Sequence, residues 1–399
     1  MLPLSGKRPD VLLDLTILAT DTRERGIGRY LMELAPQLER EAKLQGRIRL
    51  AFLRRTAWLG TGEVCESAEQ AIQELVSNPE PAKRGELAYR SRIGTARAVQ
   101  ASGARLLHLG YPNVTPLGSG ARPRVVTCHD LIPLQFPEHY TNWKHGYTPG
   151  RRALDARRYA GAQHIIAISR ATADVLMQKL GVAASKISVV YNGVSLERWS
   201  AEPSLADASV RERYELQGKS LLVFAGDGDF RKNAEGMLGA LGILRREKPS
   251  MDFTLAWAGR LRDEQKARLQ QTASALGATG ALRLLGYVPD ADLAALYRQA
   301  HATLFVSRAE GFGYPVLEAM ACGSAVVTSN VSSLSEIAGD VALAVDPEDH
   351  PAIAEAILSI DTSGSAREAR VTRGRNWASQ FSTQRQARET LAVYEQLLR

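Results

Sequence analysis

Along this chain, short apolar runs alternate with longer stretches whose apolar positions recur every three or four residues. Val11 to Leu15, Ile48 to Leu53, Arg105 to Leu109, Arg124 to Thr127, His164 to Ile168 and Ile187 to Val190 predict one set of strands. Leu221 to Ala225, Asp252 to Trp257, Leu282 to Leu285, Ala302 to Val306, Ala325 to Thr328 and Ala342 to Val345 predict a second. Strand and helix alternating in this way build parallel sheets covered on both faces. Between the sets, Asn192-Gly193 supplies a turn, and the polar run Ser200 to Ser209 lacks an apolar period, which puts an interdomain connection near residues 193 to 218. The expected architecture is therefore α/β: two doubly wound domains over 1–195 and 196–375, and a tail over 376–399. In that tail Ala387, Leu391, Tyr394 and Leu398 share one face of an amphipathic helix that needs a surface to cover. Open parallel sheets bind ligands beyond the carboxyl ends of their strands, so two such edges facing across a cleft would suit a reaction with two substrates.

Composition narrows this picture. A length of 399 residues is enough for two cores, and Asp14 and Glu318 interrupt the apolar runs before any reaches the roughly 20 residues of a membrane span. Residues Met1 to Asp10 lack an export signal's apolar core, which predicts a cytoplasmic protein. Cys65, Cys128 and Cys322 are dispersed and odd in number, without the spacing of a disulfide framework or a zinc site. Cys128 beside His129 fits no nucleophile motif and reads as a small buried thiol. Net charge is +10 over residues 1–199 and −3 over the rest. Arg151, Arg152, Arg157 and Arg158 recur at helical spacing, and Lys83, Arg84, Arg90, Arg92 and Arg97 form a second basic cluster. These suit an anionic membrane surface or a pyrophosphate-linked acceptor, or simply a solvated basic face. Nucleic acid is not expected as a partner, because there is no recognition helix, zinc finger or aromatic-studded basic strand.

The densest chemistry lies in Ser307 to Glu318. Gly311 and Gly313 permit a tight turn after a buried strand, and Pro315 suits the first helical position. The helix starting near Tyr314 would aim unpaired N–H groups, with Gly311, Phe312 and Gly313 around them, at a phosphate. Glu318 either accepts from a ribose or complements the helix dipole; Glu310 either accepts from a sugar hydroxyl or is a solvated loop residue. Arg231 and Lys232 follow the turn Gly226 to Phe230, where they either neutralise a diphosphate or begin an amphipathic helix. Asp227-Gly228-Asp229 has the spacing of a metal-holding acidic motif, but two carboxylates in a glycine turn read as turn formers. No metal or cofactor is expected. Gly26-Ile27-Gly28 stands between the first strand and a helix expected near Arg29; the third glycine of a dinucleotide fingerprint is replaced by Leu31.

The run Glu310-Gly311-Phe312-Gly313-Tyr314-Pro315-Val316-Leu317-Glu318-Ala319-Met320-Ala321-Cys322-Gly323 resembles the signature of glycosyltransferase family 4, retaining enzymes of GT-B fold. Gly26 to Tyr30, Cys128 to Pro133, Tyr191 to Val194, Arg231 to Asn233 and Leu285 to Val288 appear in the family's order, so the likeness covers nearly the whole chain. It departs at Asp227, where many relatives carry arginine, and at Tyr314, where an aliphatic residue is usual. The resemblance implies a nucleotide-sugar donor and a glycan or lipid-linked acceptor, with GDP-mannose as the preferred donor and surface polysaccharide or glycolipid as the product. It places Lys232 and Arg231 on the pyrophosphate, His129 against the sugar, Gly26 and Gly28 over the donor, and Tyr287 and Val288 at the base. It also implies that the terminal helix crosses back to the first domain. The competing readings are a non-catalytic glycan or nucleotide-binding scaffold and a sugar-nucleotide epimerase of similar architecture.

Overall fold

A computed structural model describes residues 8–55, 63–77, 95, 97–111, 123–140, 149–218 and 220–399. The described residues divide into two compact units, those up to Gly193 together with Ser382–Arg399, and those of Val194–Phe381.

In the first unit the strands run, across the sheet, β3 (Glu63–Cys65), β2 (Leu50–Arg55), β1 (Val11–Asp14), β4 (Leu106–Leu109), β5 (Arg124–Cys128), β6 (His164–Ala167) and β7 (Ile187–Val189). All neighbours are parallel except β3, which lies antiparallel on β2 with Cys65 opposite Phe52. This short edge strand was not expected, because three residues carry too little periodicity to read. Successive side chains point to opposite faces, so Leu13 joins a core with Leu31, Leu34 and Leu391 while Leu12 joins another with Leu107, Val126 and Leu176. Both faces are covered, which is why β1, β4 and β6 are apolar at nearly every position.

The terminal helix Thr383–Leu398 belongs to this unit and buries Ala387, Leu391 and Tyr394. Ser382 caps it by accepting from the Arg385 N–H at 3.2 Å. The Gly193 N–H donates to Gln386 Oε1 at 2.9 Å, and a Cβ on Gly193 would stand 2.3 Å from Thr383 Cα, so only glycine lets the two segments cross here. Glu41, buried on the helix Gly26–Gln45, accepts from Arg388 Nε at 3.0 Å.

The second unit holds a wholly parallel sheet, ordered β10 (Leu282–Gly286), β9 (Phe253–Ala258), β8 (Ser220–Ala225), β11 (Ala302–Phe305), β12 (Val326–Ser329) and β13 (Leu343–Val345). Phe224, Trp257 and Phe305 fill its centre, with ring centroids 4.2 and 5.7 Å from Phe224. The strand order reverses between β8 and β11, and that switch point is where an open sheet leaves a crevice at its carboxyl edge.

The polar run expected to be a connection is instead fastened to the second unit. Arg298, on the helix Asp290–Gln299, donates to Ser200 O at 2.9 Å, Ser204 Oγ at 2.9 Å and Asp207 Oδ1 at 2.5 Å. Arg213 reaches both oxygens of buried Asp292 at 2.7 and 2.6 Å. Hydrogen bonds, rather than an apolar stripe, anchor it, so a search for periodicity passes over it.

Candidate functional site

The chain leaves β8 through Gly226, whose carbonyl accepts from Trp257 Nε1 at 3.2 Å. Asp227 accepts from the Asp229 N–H at 3.3 Å, and Asp229 caps the single turn Phe230–Lys232 through the Arg231 N–H at 3.1 Å. The two carboxylates thus form and cap the turn. Asn233 follows in the left-handed region with φ 56°, a conformation asparagine tolerates. Its Nδ2 donates to Val306 O at 3.0 Å and to Pro347 O at 2.6 Å, while its Oδ1 caps the helix Ala234–Glu247. The loop after β8 is thereby tied to the end of β11.

That tie brings three charges together. Glu310 accepts from Arg231 Nη1 at 2.5 Å and from Lys232 Nζ at 2.6 Å, and the Lys232 ammonium also stands 4.8 Å from the centre of the Phe305 ring. The Glu310 and Lys232 side chains are each 9% exposed and Arg231 20%, so the triad is shielded and Arg231 is its most accessible member. Burial pushes the Glu310 carboxyl up, yet Arg231 and Lys232 outweigh it and hold the group below the usual glutamate range. Nearly eighty residues separate Glu310 from its cations, so no local pattern shows that the acid assigned to a sugar and the bases assigned to a phosphate are one ion cluster.

Beyond Glu310, Phe312 is buried, its ring edge-on to Tyr314 at 5.2 Å and to Phe381 at 6.3 Å. Gly313 has φ 115°, and a Cβ there would meet Leu334 Cδ2 at 2.7 Å. The helix Tyr314–Ala321 starts at the expected residue with Pro315 in its first turn, and Glu318 sits on it 1% exposed. At the edge of the same sheet, Gly286 turns with φ 71°. Tyr287 is then 59% exposed beneath the Arg260 guanidinium, 4.7 Å from its ring centre, whereas the Val288 side chain is buried.

In the first unit, Gly26 and Gly28 are not in a loop before the helix. They lie in its first turn, because the helix starts at Gly26 and two 3-10 turns, Thr16–Ala19 and Asp21–Glu24, occupy the connection from β1. A Cβ at Gly28 would stand 2.2 Å from Arg23 O, while one at Gly26 meets nothing within 4 Å. The helix thus needs Gly28 for close packing and leaves Gly26 open.

His129 follows β5. Its Nε2–H donates to Gly110 O at 2.7 Å, and its ring meets Tyr30 edge-on at 4.8 Å. Burial lowers its pKa against the opposing pull of the Gly110 carbonyl and Asp130, so the ring is neutral near pH 7. With the proton fixed on Nε2, Nδ1 is left as an acceptor. Asp130 steadies the loop by accepting from the Ile132 N–H at 3.2 Å. Sequence reasoning missed a second histidine: His108, inside β4, bonds Tyr394 OH at 2.5 Å and Thr127 Oγ1 at 2.8 Å, and Thr127 in turn bonds Tyr30 OH at 2.9 Å. A histidine within an apolar strand run was the signal available. Burial lowers the His108 pKa to about 3.

The basic clusters divide. Arg158 is not part of a solvated face: it is buried and donates to Asp155 at 2.8 Å. Arg97 and Arg157 are exposed. Lys83, Arg84, Arg90 and Arg92, and the side chains of Arg151 and Arg152, lie outside the described residues. Among the described residues no helix is long and apolar enough to cross a membrane.

Residues 208–377 match the family model for glycosyl transferases group 1, and residues 25–198 match that for glycosyltransferase family 4. The chain is 32% identical over 275 residues to the O-antigen chain mannosyltransferase B of Escherichia coli, spanning 68% of this chain and 70% of that protein. It is also 32% identical over 223 residues to the serotype-specific mannosyltransferase WbdA of Escherichia coli, which covers 54% of this chain but 26% of that longer protein. The solved structure of Anabaena Alr3699/HepE in complex with UDP and glucose matches 96% of this chain and 99% of its own with a TM-score of 0.69. At 18% identity that likeness speaks to the fold alone.

Proposed function

The chain belongs to glycosyltransferase family 4, with the two parallel-sheet units of the GT-B fold, and from that premise we propose that it moves a hexose from a nucleoside-diphosphate sugar to a glycan or lipid-linked acceptor with retention of configuration. The carrying observation is the shielded cluster of Arg231, Lys232 and Glu310 at the switch point of the second sheet. Expelling a diphosphate requires cations where its charge develops, held in place before the reaction begins. Without ligand, Glu310 occupies those cations and offsets part of their charge. An arriving diphosphate competes for Arg231 and Lys232 and frees the carboxylate to accept hydrogen bonds from the sugar. N–H groups of the turn Gly311 to Gly313 and of the helix after it add dipoles at the phosphate.

The reaction then proceeds by front-face substitution. The anomeric carbon-to-phosphate oxygen bond breaks as the acceptor oxygen bonds to the same face of that carbon, and the acceptor's proton passes to the departing phosphate oxygen. Lys232 and Arg231 neutralise the leaving diphosphate, so no metal is required; activity unchanged by a chelator is the expected outcome. His129, neutral with Nδ1 as acceptor, serves a donor-sugar hydroxyl, and Glu318 serves the ribose. Tyr287, with the backbone of Val288, serves the base. The mannosyltransferases of Escherichia coli support GDP-mannose as donor and surface polysaccharide as product.

A panel of nucleotide sugars tests this, since a ligand selective for the folded state raises Tm. GDP-mannose is expected to raise Tm and be consumed by the wild-type protein, and the Lys232→Ala variant to lose both effects. If no nucleotide sugar stabilises the protein or is turned over, the proposal is contradicted.

A further inference from the structure

Glu310 is fixed by more than its ion pairs. The end of β12 and the start of the helix Ser332–Ala338 present a row of hydroxyls to the loop that carries Glu310. Thr328 Oγ1 donates to Phe305 O at 3.0 Å, and Ser329 Oγ donates to Ser307 O at 2.6 Å. Ser333 Oγ lies within reach of two carbonyls, Glu310 O at 2.9 Å and Phe312 O at 2.8 Å, which share its single O–H. Ser332 Oγ accepts from the Glu310 N–H at 3.1 Å. Both backbone polar groups of Glu310 are thus engaged by adjacent serines from another strand connection.

Ser332 holds this position in an unfavourable conformation. Its φ is 53°, in the left-handed region that serine seldom adopts. Such a conformation persists only where the surroundings impose it, and here it accompanies a hydroxyl held against the Glu310 amide. Ser333 is fully buried and its contact with Phe312 O is buried with it, so loss of that hydroxyl would not be made good by solvent there.

We propose that Ser332 and Ser333 are positioning residues that set the direction of the Glu310 carboxylate, and through it the placement of Arg231 and Lys232. The inference rests on the reading of Glu310 as the group that exchanges between these cations and the sugar. Ser332 acts through the amide of Glu310, and Ser333 through the carbonyls of Glu310 and Phe312. Its distinguishing mark is that the hydroxyl of Ser332 matters, and the strain it bears does not.

The test uses the full chain and four variants, Ser332→Ala, Ser332→Gly, Ser332→Asn and Ser333→Ala. Turnover of the nucleotide sugar, Tm, and the Glu310 carboxyl titration followed by 13C NMR without ligand are measured. Ser332→Ala and Ser333→Ala are expected to lower kcat about tenfold, the loss of one shielded hydrogen bond, and to move the Glu310 titration toward the usual glutamate range. Ser332→Gly relieves the backbone strain, so its Tm should exceed that of Ser332→Ala while its kcat stays equally low. Ser332→Asn, which tolerates positive φ and keeps an acceptor oxygen, should recover most of the loss. Wild-type turnover and an unmoved titration in Ser332→Ala and Ser333→Ala would overturn the proposal, as would recovery of activity by Ser332→Gly. Should the wild-type protein transfer no sugar, the reading of the reaction fails, and the Glu310 titration alone decides the positioning role.

Discussion

The two units place different polar chemistry at the carboxyl edge of a parallel sheet. In the second unit Arg231, Lys232 and Glu310 form a charged cluster whose carboxyl is held ionised. In the first unit His129 is neutral, its Nε2–H fixed by the Gly110 carbonyl and Nδ1 left as an acceptor. The contrast lies in the burial cost. A buried charge persists only with counter-charges, and the second unit supplies two cations for one acid. At this edge the first unit avoids the cost by keeping His129 unprotonated, and His108, whose pKa burial also lowers, lies in a bonded row from Tyr30 to Tyr394. Charge is thus concentrated where a diphosphate is proposed to be expelled, and neutral polarity where hydroxyl groups are proposed to be recognised.

The largest effect should come from breaking the charged side. Lys232→Ala is expected to lower kcat by about 10²–10³, the scale for removing one preorganised electrostatic group, and to raise the Glu310 pKa by removing a counter-charge. Adding Glu310→Gln should restore thermal stability without restoring turnover. Near-normal steady-state turnover of Lys232→Ala would remove the contrast altogether. Next comes packing around the helix of the first unit. Gly28→Ala is expected to destabilise by about 1–3 kcal/mol, as overpacking does, because its Cβ would meet the Arg23 carbonyl. Gly26→Ala, with open space around its Cβ, should be neutral or stabilising; chemical denaturation of both variants checks the difference.

A smaller effect belongs to the neutral side. His129→Ala should lower kcat/KM about tenfold, consistent with one lost hydrogen bond, and wild-type kcat/KM should change little with pH above 6.5 on account of this group. A rise in activity on protonation would contradict its role as an acceptor. The smallest effect is on stability. The folded pKa of His108 is about 3 against 6.5 for the free side chain, so between these values the unfolded chain binds the extra proton. Its contribution is therefore full above pH 6.5 and is lost as pH falls through that window, with a slope of at most about 1.4 kcal/mol per pH unit. Denaturation of wild type and His108→Gln from pH 5 to 7 should show the steeper rise with pH in wild type.

How much of this could be read in advance follows from the range of each interaction. The strands, the helix start at Tyr314 and the turn-forming role of Asp227 and Asp229 are local, and periodicity, proline and glycine mark them. The ion cluster is not local: Asn233 and the strand order bring Arg231 and Lys232 to Glu310, and nothing near any of the three announces it. Gly26 and Gly28 looked like a loop because two 3-10 turns stood in for one. Arg158 looked solvated because helical spacing does not tell which face is covered, and Asp155 covers it. Ser332 and Ser333 carry no motif; their meaning comes from the carbonyls and the amide they face.

The account turns on what happens to Arg231 and Lys232 when a diphosphate arrives. A crystal structure of the protein soaked with GDP, and separately with UDP, measures this directly. Phosphate oxygens are expected on Lys232 Nζ, Arg231 and the N–H groups of Gly311 to Gly313, with the Glu310 carboxylate released from at least one cation. A diphosphate bound elsewhere, with Glu310 still bridging both cations, would contradict it.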